Sequence, residues 1–313
     1  CKEPHVLDAA RKVADNLIAE VGPSSGRNIA ETGWIGWKGL ASSSVLEPIV
    51  KLYRTDPQER YLEFAESIVS SWNSPNKLTP TGLNLVEDAL SDKPMWKVSG
   101  APKAYEMMSC FEGLCELHRV TGKQEYLDAV VNLHRKIVRD ELMIVGSGSI
   151  YEIWCHGAFH QTEPMYQGLE TCVTATWMKL NYQLLRITGD PIYADCLEKT
   201  LYNAMLSSMS TDGSWFSYYS GLMGERTHSH LQFHDVVMSC CVANGPRGLM
   251  TTPSWGVMTR SDGGIVINAY APSCVQTGEV SLRIEGSYPE NGDVTVAFSS
   301  GKKESFPLVL RIP

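Results

Sequence analysis

Three stretches of the chain share one pattern of apolar and polar positions. They read "YRTDPQERYLEFAESIV" at 53–69, "HRVTGKQEYLDAVVNLH" at 118–134 and "LRITGDPIYADCLEKTL" at 185–201. In each, a helix with an apolar period of 3.6 residues ends in a polar turn, and a second amphipathic helix begins around a tyrosine. A fourth stretch, at 5–18, keeps only the second helix. The pattern predicts helical hairpins that repeat along the chain.

The spacing of these hairpins predicts how they stack. Tyr61, Tyr126 and Tyr193 are 65 and 67 residues apart, and the long connections between units contain Gly, Pro, Trp and His. Stacked helical pairs with long loops at one end are typical of an α/α solenoid or toroid. A closed toroid of six pairs needs more helices than this pattern supplies. We therefore expect an α/α solenoid or a toroid that is partial at its N-terminus.

The pattern changes after about residue 252. Short stretches such as "GGIVINAYAPS" and "EVSLRIEGSYPE" are rich in β-branched residues and alternate with Gly, Asn, Asp and Pro turns. Such spacing is typical of a β-sandwich. The sequence therefore predicts a mainly α chain with two domains, an α/α barrel at 1–252 and a β-sandwich at 253–313 that is incomplete at its C-terminal end.

Composition excludes several classes of function. The 313 residues are 43% hydrophobic and 20% charged, which is ordinary for a globular protein. A net charge of −8 argues against nucleic acid as a partner, because phosphate binding needs clustered Lys and Arg. No apolar stretch has the length of a membrane span. The nine cysteines, an odd number, do not suggest a disulfide framework, which favours a reducing compartment and leaves cytoplasmic or periplasmic localisation open.

Four residues form a candidate metal site. The segment "ETC" supplies Glu170 and Cys172, and a cysteine pair supplies Cys240 and Cys241. Zinc accepts thiolate and carboxylate ligands in tetrahedral geometry. The first two residues precede a predicted helix at 173–186, and both can face one point only if the chain is not yet helical there. On spacing alone, buried thiols that bind no metal are the simpler interpretation, because the repeated CxxC of many zinc sites is absent.

These segments resemble a known family. The "ETC" set, the helical stretch "LLRITGDPIYADCLEKTLYNAML" and the segment "CCVAN" are similar to the β-L-arabinofuranosidase family of glycoside hydrolases, family 127. The resemblance covers roughly residues 53–247 and implies an (α/α)6 barrel followed by β-sandwich domains. It also implies that Glu170, Cys172, Cys240 and Cys241 bind one Zn2+, and that Cys240 is the nucleophile.

A cysteine nucleophile in a glycosidase needs a general acid/base as its partner. A metal-bound thiol is ionised, and a retaining glycosidase pairs its nucleophile with a carboxyl acid/base beside the leaving oxygen. Two carboxylates compete for that role, Glu152 in "GSGSIYEIW" and Glu163 in "HQTEPM". The resemblance favours Glu152, and the neighbouring Trp154 is expected to shield it. Glu163 is then expected to contact sugar hydroxyls.

Further residues are candidates for substrate binding. His156 and His160 lie in the same loop as Glu152, and Tyr166 offers a ring on which a sugar can stack. Relatives carry a sugar-binding His where this chain has Lys103, and another where it has a residue near Ser42. These departures imply that the contacts to the sugar ring differ, so that the sugar need not be L-arabinofuranose.

The leading hypothesis is a zinc-dependent retaining glycoside hydrolase, exo-acting on L-arabinofuranosyl or a related sugar of plant-type glycans. Its partners would be a carbohydrate substrate and, in a homodimer, a second copy of the chain. One alternative is another carbohydrate-active α/α toroid, such as a lyase or a glycuronyl hydrolase, which needs no thiol. Another is a non-catalytic carbohydrate-binding protein with a structural zinc.

Overall fold

The structure is a computed structural model that describes residues 3–33, 37–98, 102–232, 239–301 and 305–313. Its helices are α1 Pro4–Val21, α2 Leu40–Ser43, α3 Leu46–Thr55, α4 Glu59–Ser71, α5 Leu85–Leu90, α6 Ala104–Thr121, α7 Gln124–Asp140, α8 Gly157–His160, α9 Thr171–Thr188, α10 Ile192–Thr200, α11 Ser229–Gln232, α12 Cys240–Met250 and α13 Thr252–Gly256. Its strands are β1 Val257–Thr259, β2 Ile265–Ile267, β3 Ser273–Thr277, β4 Val280–Gly286, β5 Val294–Ser300 and β6 Leu308–Leu310. Among the described residues, no helix combines the length and the apolar composition that crossing a bilayer requires. The chain is mainly helical, as predicted, and its strands follow its helices.

The predicted helical hairpins are present. They are the pairs α3–α4, α6–α7 and α9–α10, and α1 is the single helix expected near the start. Helices α6 and α9 end at Gly122 and Gly189, both with φ of 71°. A Cβ added at either glycine would contact nothing within 4 Å, so glycine is favoured there by its left-handed backbone and not by a lack of space. This turn chemistry is what makes the repeats visible in the sequence.

The helices form two layers. Helices α3, α6, α9 and α12 pack side by side in one row, and α4, α7 and α10 each lie against the preceding member of that row. Along α6 and α9 most side chains are buried, which explains why their apolar residues do not form a narrow stripe. The tyrosines of the repeats, Tyr61, Tyr126 and Tyr193, are buried in the same core.

The inner row also contains charged side chains. Nζ of Lys179 in α9 lies 2.6 Å from carboxylate oxygens of both Glu47 in α3 and Glu112 in α6. Although burial opposes it, the charges of Lys179 and Lys51 lower the pKa of Glu47. Burial raises the pKa of Glu112 to about 7. Glu47 is therefore balanced by two lysines, whereas Glu112 shares Lys179 with it and is the carboxyl of the two that keeps a proton more readily.

Two three-stranded sheets follow α13. One has the order β1-β2-β6 and the other the antiparallel order β3-β4-β5. Side chains of β2 and β4 pack together in their shared core. The guanidinium of Arg311 pairs with Asp195 at 2.6 Å and with Glu198, both in α10, and so links the end of β6 to the helical part. The predicted boundary at 252/253 falls at the start of α13, and the first strand begins at Val257.

Candidate active site

The four predicted metal ligands come together at the N-termini of two packed helices. Cys240 and Cys241 are the first two residues of α12, and Cys172 is the second residue of α9. Glu170 is the N-cap of α9 and has an extended backbone, with φ −56° and ψ 131°. Helix N-termini stabilise negative charge, so this placement favours thiolates. The sequence predicted that both Glu170 and Cys172 precede the helix. This is correct for Glu170 and wrong for Cys172, because α9 begins at Thr171.

The ligand atoms of this cluster are close enough to share one cation. One ligand atom from each of Glu170, Cys172, Cys240 and Cys241 lies within 4.8 Å of the others. The sulfurs of Cys172 and Cys241 are 3.3 Å apart, and Cys241 Sγ lies 3.9 Å from Oε1 of Glu170. Two sulfurs on a tetrahedral zinc, each bonded at about 2.3 Å, are separated by roughly 3.8 Å. The sulfurs of Cys172 and Cys241 lie closer together than that, and all four ligand atoms are near enough to hold one metal ion.

Burial supports the same conclusion. Glu170, Cys172 and Cys241 are buried, whereas Cys240 is exposed. Oε2 of Glu170 is buried and has no hydrogen-bond partner among the described residues. A buried carboxylate oxygen without a partner is costly unless a cation or a proton satisfies it. The donor set and the unpaired oxygen together fit a bound divalent metal.

Burial and the close spacing of the acidic groups shift the pKa values of the residues in the cluster. Burial raises the pKa of Glu170 to about 8, against the opposing charge of Lys103. Burial likewise raises the pKa of the Cys241 thiol. In contrast, hydrogen bonds from the neighbouring thiols of Cys172 and Cys241 lower the pKa of Cys240. The exposed sulfur of Cys240 is thus the one in the cluster that ionises most easily.

Asn244 orients the cluster from within α12. Its Nδ2 donates a hydrogen bond of 2.9 Å to Sγ of Cys172, which joins α12 to α9. Hydrogen bonds of this kind fix a metal ligand in one orientation. Asn244 ends the "CCVAN" segment, but its contact with Cys172 did not follow from the sequence.

Glu152 lies beside the cluster. Its side chain is largely buried and accepts hydrogen bonds from Lys103 Nζ, at 2.5 Å, and from the hydroxyl of Tyr218. The same hydroxyl lies 3.8 Å from Sγ of Cys240. The two residues predicted to carry the chemistry, Glu152 and Cys240, are therefore connected through one tyrosine. Tyr218, in the segment "WFSYYS", was not among the predicted site residues, because neither spacing nor composition sets it apart from other tyrosines.

Lys103 is a buried cation within this site. Besides Glu152, its ammonium lies 3.5 Å from Glu106 and 4.6 Å from the ring centroid of Trp37. The charges of Glu170, Glu106 and Glu152 raise the pKa of Lys103, although burial opposes them. The structure therefore places Lys103 against the predicted acid/base, where the sequence had suggested a contact with the sugar.

The other predicted substrate residues lie further along the same loop. His160 and Glu163 form a pair, with 3.0 Å between Nδ1 and Oε1, and both line a cavity of about 570 Å³ together with Tyr166 and Tyr151. His156 stacks between Trp96 and Phe159, with centroid separations of 5.4 Å to each ring. Trp154 is buried in the core, and its shielding of Glu152 stays a prediction. These residues surround the segment that carries Glu152.

Comparison with known proteins shows which chains this one resembles in sequence and in fold. A curated relative, the non-reducing end β-L-arabinofuranosidase of Bifidobacterium longum subsp. longum, is 23% identical over 340 aligned positions, which cover 98% of this chain and 50% of the relative. Among solved structures, a GH127 β-arabinofuranosidase superposes with a TM-score of 0.76 at 23% identity, covering 99% of this chain and 47% of that protein. A GH127 β-L-arabinofuranosidase from Geobacillus stearothermophilus T6 superposes with a TM-score of 0.74 at 22% identity, covering 99% and 52%.

These comparisons establish the fold and the family. The chain spans about half the length of the relatives that it matches. The model of the family described as "Beta-L-arabinofuranosidase, GH127 catalytic domain" matches residues 1–254, which is most of the chain. The chain therefore belongs to the GH127 β-L-arabinofuranosidase family.

Proposed function

We propose that the chain carries the catalytic centre of a retaining glycoside hydrolase that removes L-arabinofuranosyl or a related sugar from the end of plant-type glycans. The observation that carries this proposal is the hydroxyl of Tyr218, which contacts both Glu152 and Cys240 beside the four-ligand cluster. A nucleophile and a carboxyl group that share one hydrogen-bonding side chain can act on the two ends of one glycosidic bond. Membership of the GH127 family supports this assignment.

The cluster is proposed to hold Zn2+. Glu170, Cys172, Cys240 and Cys241 would be the ligands, because three thiolates and one carboxylate complete the tetrahedron that zinc prefers. A bound zinc ion would keep the sulfur of Cys240 ionised and would stabilise it again as a leaving group. The positive charge of Lys103 acts on both Cys240 and Glu170, and a divalent cation bound to all four ligands would add to it.

The chain's own residues divide the reaction into two steps. In the first, Sγ of Cys240 attacks the anomeric carbon, the bond from that carbon to the leaving oxygen breaks, and Glu152 gives its proton to this oxygen. In the second, Glu152 takes a proton from a water molecule, whose oxygen displaces the sulfur from the anomeric carbon. Two displacements at one carbon retain its configuration, and both residues return to their starting states.

Tyr218 and Lys103 would prepare Glu152 for these steps. Their hydrogen bonds reach both oxygens of the carboxyl group and so fix its orientation. Because Lys103 is engaged with Glu152 and Glu106, we propose that it sets the orientation of the acid/base as well as the choice of sugar. The resemblance implies that the contacts to the sugar ring differ at Lys103 and near Ser42, so L-arabinofuranosyl and a related sugar are both kept in the proposal.

We also propose that the cavity around Tyr151 receives the part of the glycan beyond the scissile bond. Tyr151 directly precedes Glu152, which must protonate the oxygen of that part. The exposed rings of Tyr151 and Tyr166 offer stacking faces, and the His160–Glu163 pair offers hydrogen-bonding groups for hydroxyls. His156, which stacks on Phe159, would border the same surface.

The architecture that we propose for the whole protein is an (α/α)6 barrel with a β-sandwich domain, divided at 252/253. In support, α3, α6, α9 and α12 pack in one row and α4, α7 and α10 each lie against a member of that row, an arrangement that helical pairs in such a barrel would have. The two small sheets that share a core are the corresponding part of a sandwich. A homodimer and a reducing compartment remain proposals from the sequence.

A set of variants tests the proposed activity on aryl L-arabinofuranosides. The parent should release the aryl group, Cys240→Ser should lose this activity, and Glu152→Gln should regain turnover when azide is added, because azide needs no base. A lyase would instead leave a double bond in the sugar. A non-catalytic protein would bind the glycoside and release nothing, and either of these results would overturn the proposal.

A further inference from the structure

The loop that carries Glu152 has several residues in the left-handed backbone region. Ser149, Tyr151, Glu152 and His156 have φ of 81°, 49°, 68° and 64°. None is glycine, and such conformations are unfavourable for other residues, so they persist only where surrounding groups enforce them. The groups that enforce this backbone therefore decide where the carboxyl group of Glu152 lies.

One side of the loop is held by the segment before α6. The backbone N–H of Ala104 donates to the carbonyl of Glu152 at 2.9 Å, and the N–H of Trp154 donates to the carbonyl of Pro102 at 2.8 Å. These bonds stop at Trp154. The next three residues, 155–157, lead into α8, and their backbone N–H groups bond to a different part of the chain.

The acceptor of these bonds is the side chain of Glu141, at the end of α7. Its Oε2 accepts hydrogen bonds of 3.0 Å from the backbone N–H groups of Cys155 and Gly157, and its Oε1 accepts one of 3.1 Å from that of His156. The residue is completely buried. Burial raises the pKa of Glu141 to about 7, although the three backbone hydrogen bonds oppose this.

The buried carboxylate of Glu141 is not expected to add much to the stability of the folded protein. Burying a charged group is unfavourable unless its hydrogen bonds compensate, and here all three of these bonds come from consecutive residues of one loop. The carboxylate has no basic side chain among these partners. What this arrangement provides is a fixed path for the backbone directly after Glu152.

We propose that Glu141 is a positioning residue, which fixes the geometry of Glu152 by anchoring the backbone of residues 155–157 to the end of α7. The catalytic consequence rests on the proposed function of Glu152, whereas the anchor itself does not. Glu141→Gln keeps the size of the side chain, but it turns an NH2 group toward at least one backbone N–H. Asp140→Asn is the matched control, because Asp140 neutralises Arg139 and is not among the groups that hold the loop.

Amide hydrogen exchange tests the anchor without any substrate. In the parent, peptides that cover residues 150–158 should be protected, and in Glu141→Gln the amides of 155–157 should exchange at least roughly tenfold faster, with no such change in Asp140→Asn. Parent amides that exchange as fast as an open loop would overturn the proposal, even if the variant fails to fold. Unchanged exchange in the folded variant would do the same.

Leaving-group dependence tests the effect on Glu152. A leaving group of low pKa needs no proton, so kcat/KM of Glu141→Gln should stay within about threefold of the parent on a dinitrophenyl glycoside and fall roughly tenfold to hundredfold on an alkyl glycoside. Equal losses on both substrates would contradict a positioning role. A parent that cleaves neither glycoside would overturn the proposed function, and the exchange result would still decide whether Glu141 anchors the loop.

Discussion

The hydroxyl of Tyr218 lies 3.8 Å from Sγ of Cys240. The same hydroxyl donates a hydrogen bond to Oε1 of Glu152, so that one phenol contacts the nucleophile and the acid/base that we propose. Cys240 reaches this position as the first residue of α12, and Glu152 reaches it from a loop with a left-handed backbone. The site is thus assembled from parts that are far apart in the sequence.

Tyr218→Phe should reduce activity without changing the metal. Loss of the hydroxyl frees one oxygen of Glu152, and we expect kcat on an alkyl glycoside to fall roughly tenfold to hundredfold. Zinc content and the thermal midpoint should stay close to those of the parent. Tyr193→Phe, in a buried tyrosine of the helical repeats, is the control. Activity equal to the parent would show that the contact to Glu152 is not used.

Cys172→Ala should abolish metal binding. Because Cys172 brings one of four ligands, we expect about one zinc per chain in the parent and less than roughly a tenth of that in the variant. Metal analysis of protein purified without added zinc measures both. Cys110→Ala, a buried thiol of α6 outside the cluster, should keep the metal. A folded parent with reduced cysteines and no zinc would exclude the metal centre.

Glu112 should make stability depend on pH. Burial raises its pKa in the folded protein to about 7, above the ordinary value of 4.5, so the folded state binds more protons than the unfolded state between these values. Stability from this group is therefore fully present below about pH 4.5 and is lost as the pH rises through 7, by on the order of 3 kcal/mol. Unfolding of the parent and of Glu112→Gln between pH 5 and 8 measures it. An equal pH slope in both proteins would contradict the prediction.

Arg311→Met should loosen the contact between the sheets and the helices. The guanidinium is buried against Asp195 and Glu198, so its loss leaves two acidic groups of α10 without the positive charge that pairs with them. We expect the free energy of unfolding to fall by about 3 kcal/mol, as for other broken buried pairs. Arg283→Met, which breaks an exposed pair with Glu285, should change it by less than about 1 kcal/mol. Similar small changes in both variants would show that Arg311 does not hold the sheets in place.

The helical hairpins could be predicted because local chemistry encodes them. Gly122 and Gly189 end helices in left-handed turns, and the tyrosines that follow are buried within the second helix of each pair. The sequence placed the start of α9 at residue 173, whereas the helix begins at Thr171. Because the N-cap Glu170 is extended, its side chain and that of Cys172 can face one point although Cys172 is already helical. Spacing alone cannot show where the last non-helical residue lies.

The site was predicted in part. Its cysteines and Glu170 stand in recognisable segments, and the structure brings them within one ligand sphere. Tyr218, Asn244 and Glu141 could not be predicted, because their roles come from hydrogen bonds to residues that are 14 to 72 positions away in the chain. Ordinary residue types give no sign of such contacts before the fold is known.

The most direct test of the proposed mechanism is to locate the sugar on the enzyme. Glu152→Gln should react with a dinitrophenyl β-L-arabinofuranoside through the first step and then stall, since no base activates the water. Peptide mass spectrometry should find one pentosyl group on Cys240. A sugar attached to a carboxylate, or a parent that releases a sugar of inverted configuration, would contradict the cysteine nucleophile.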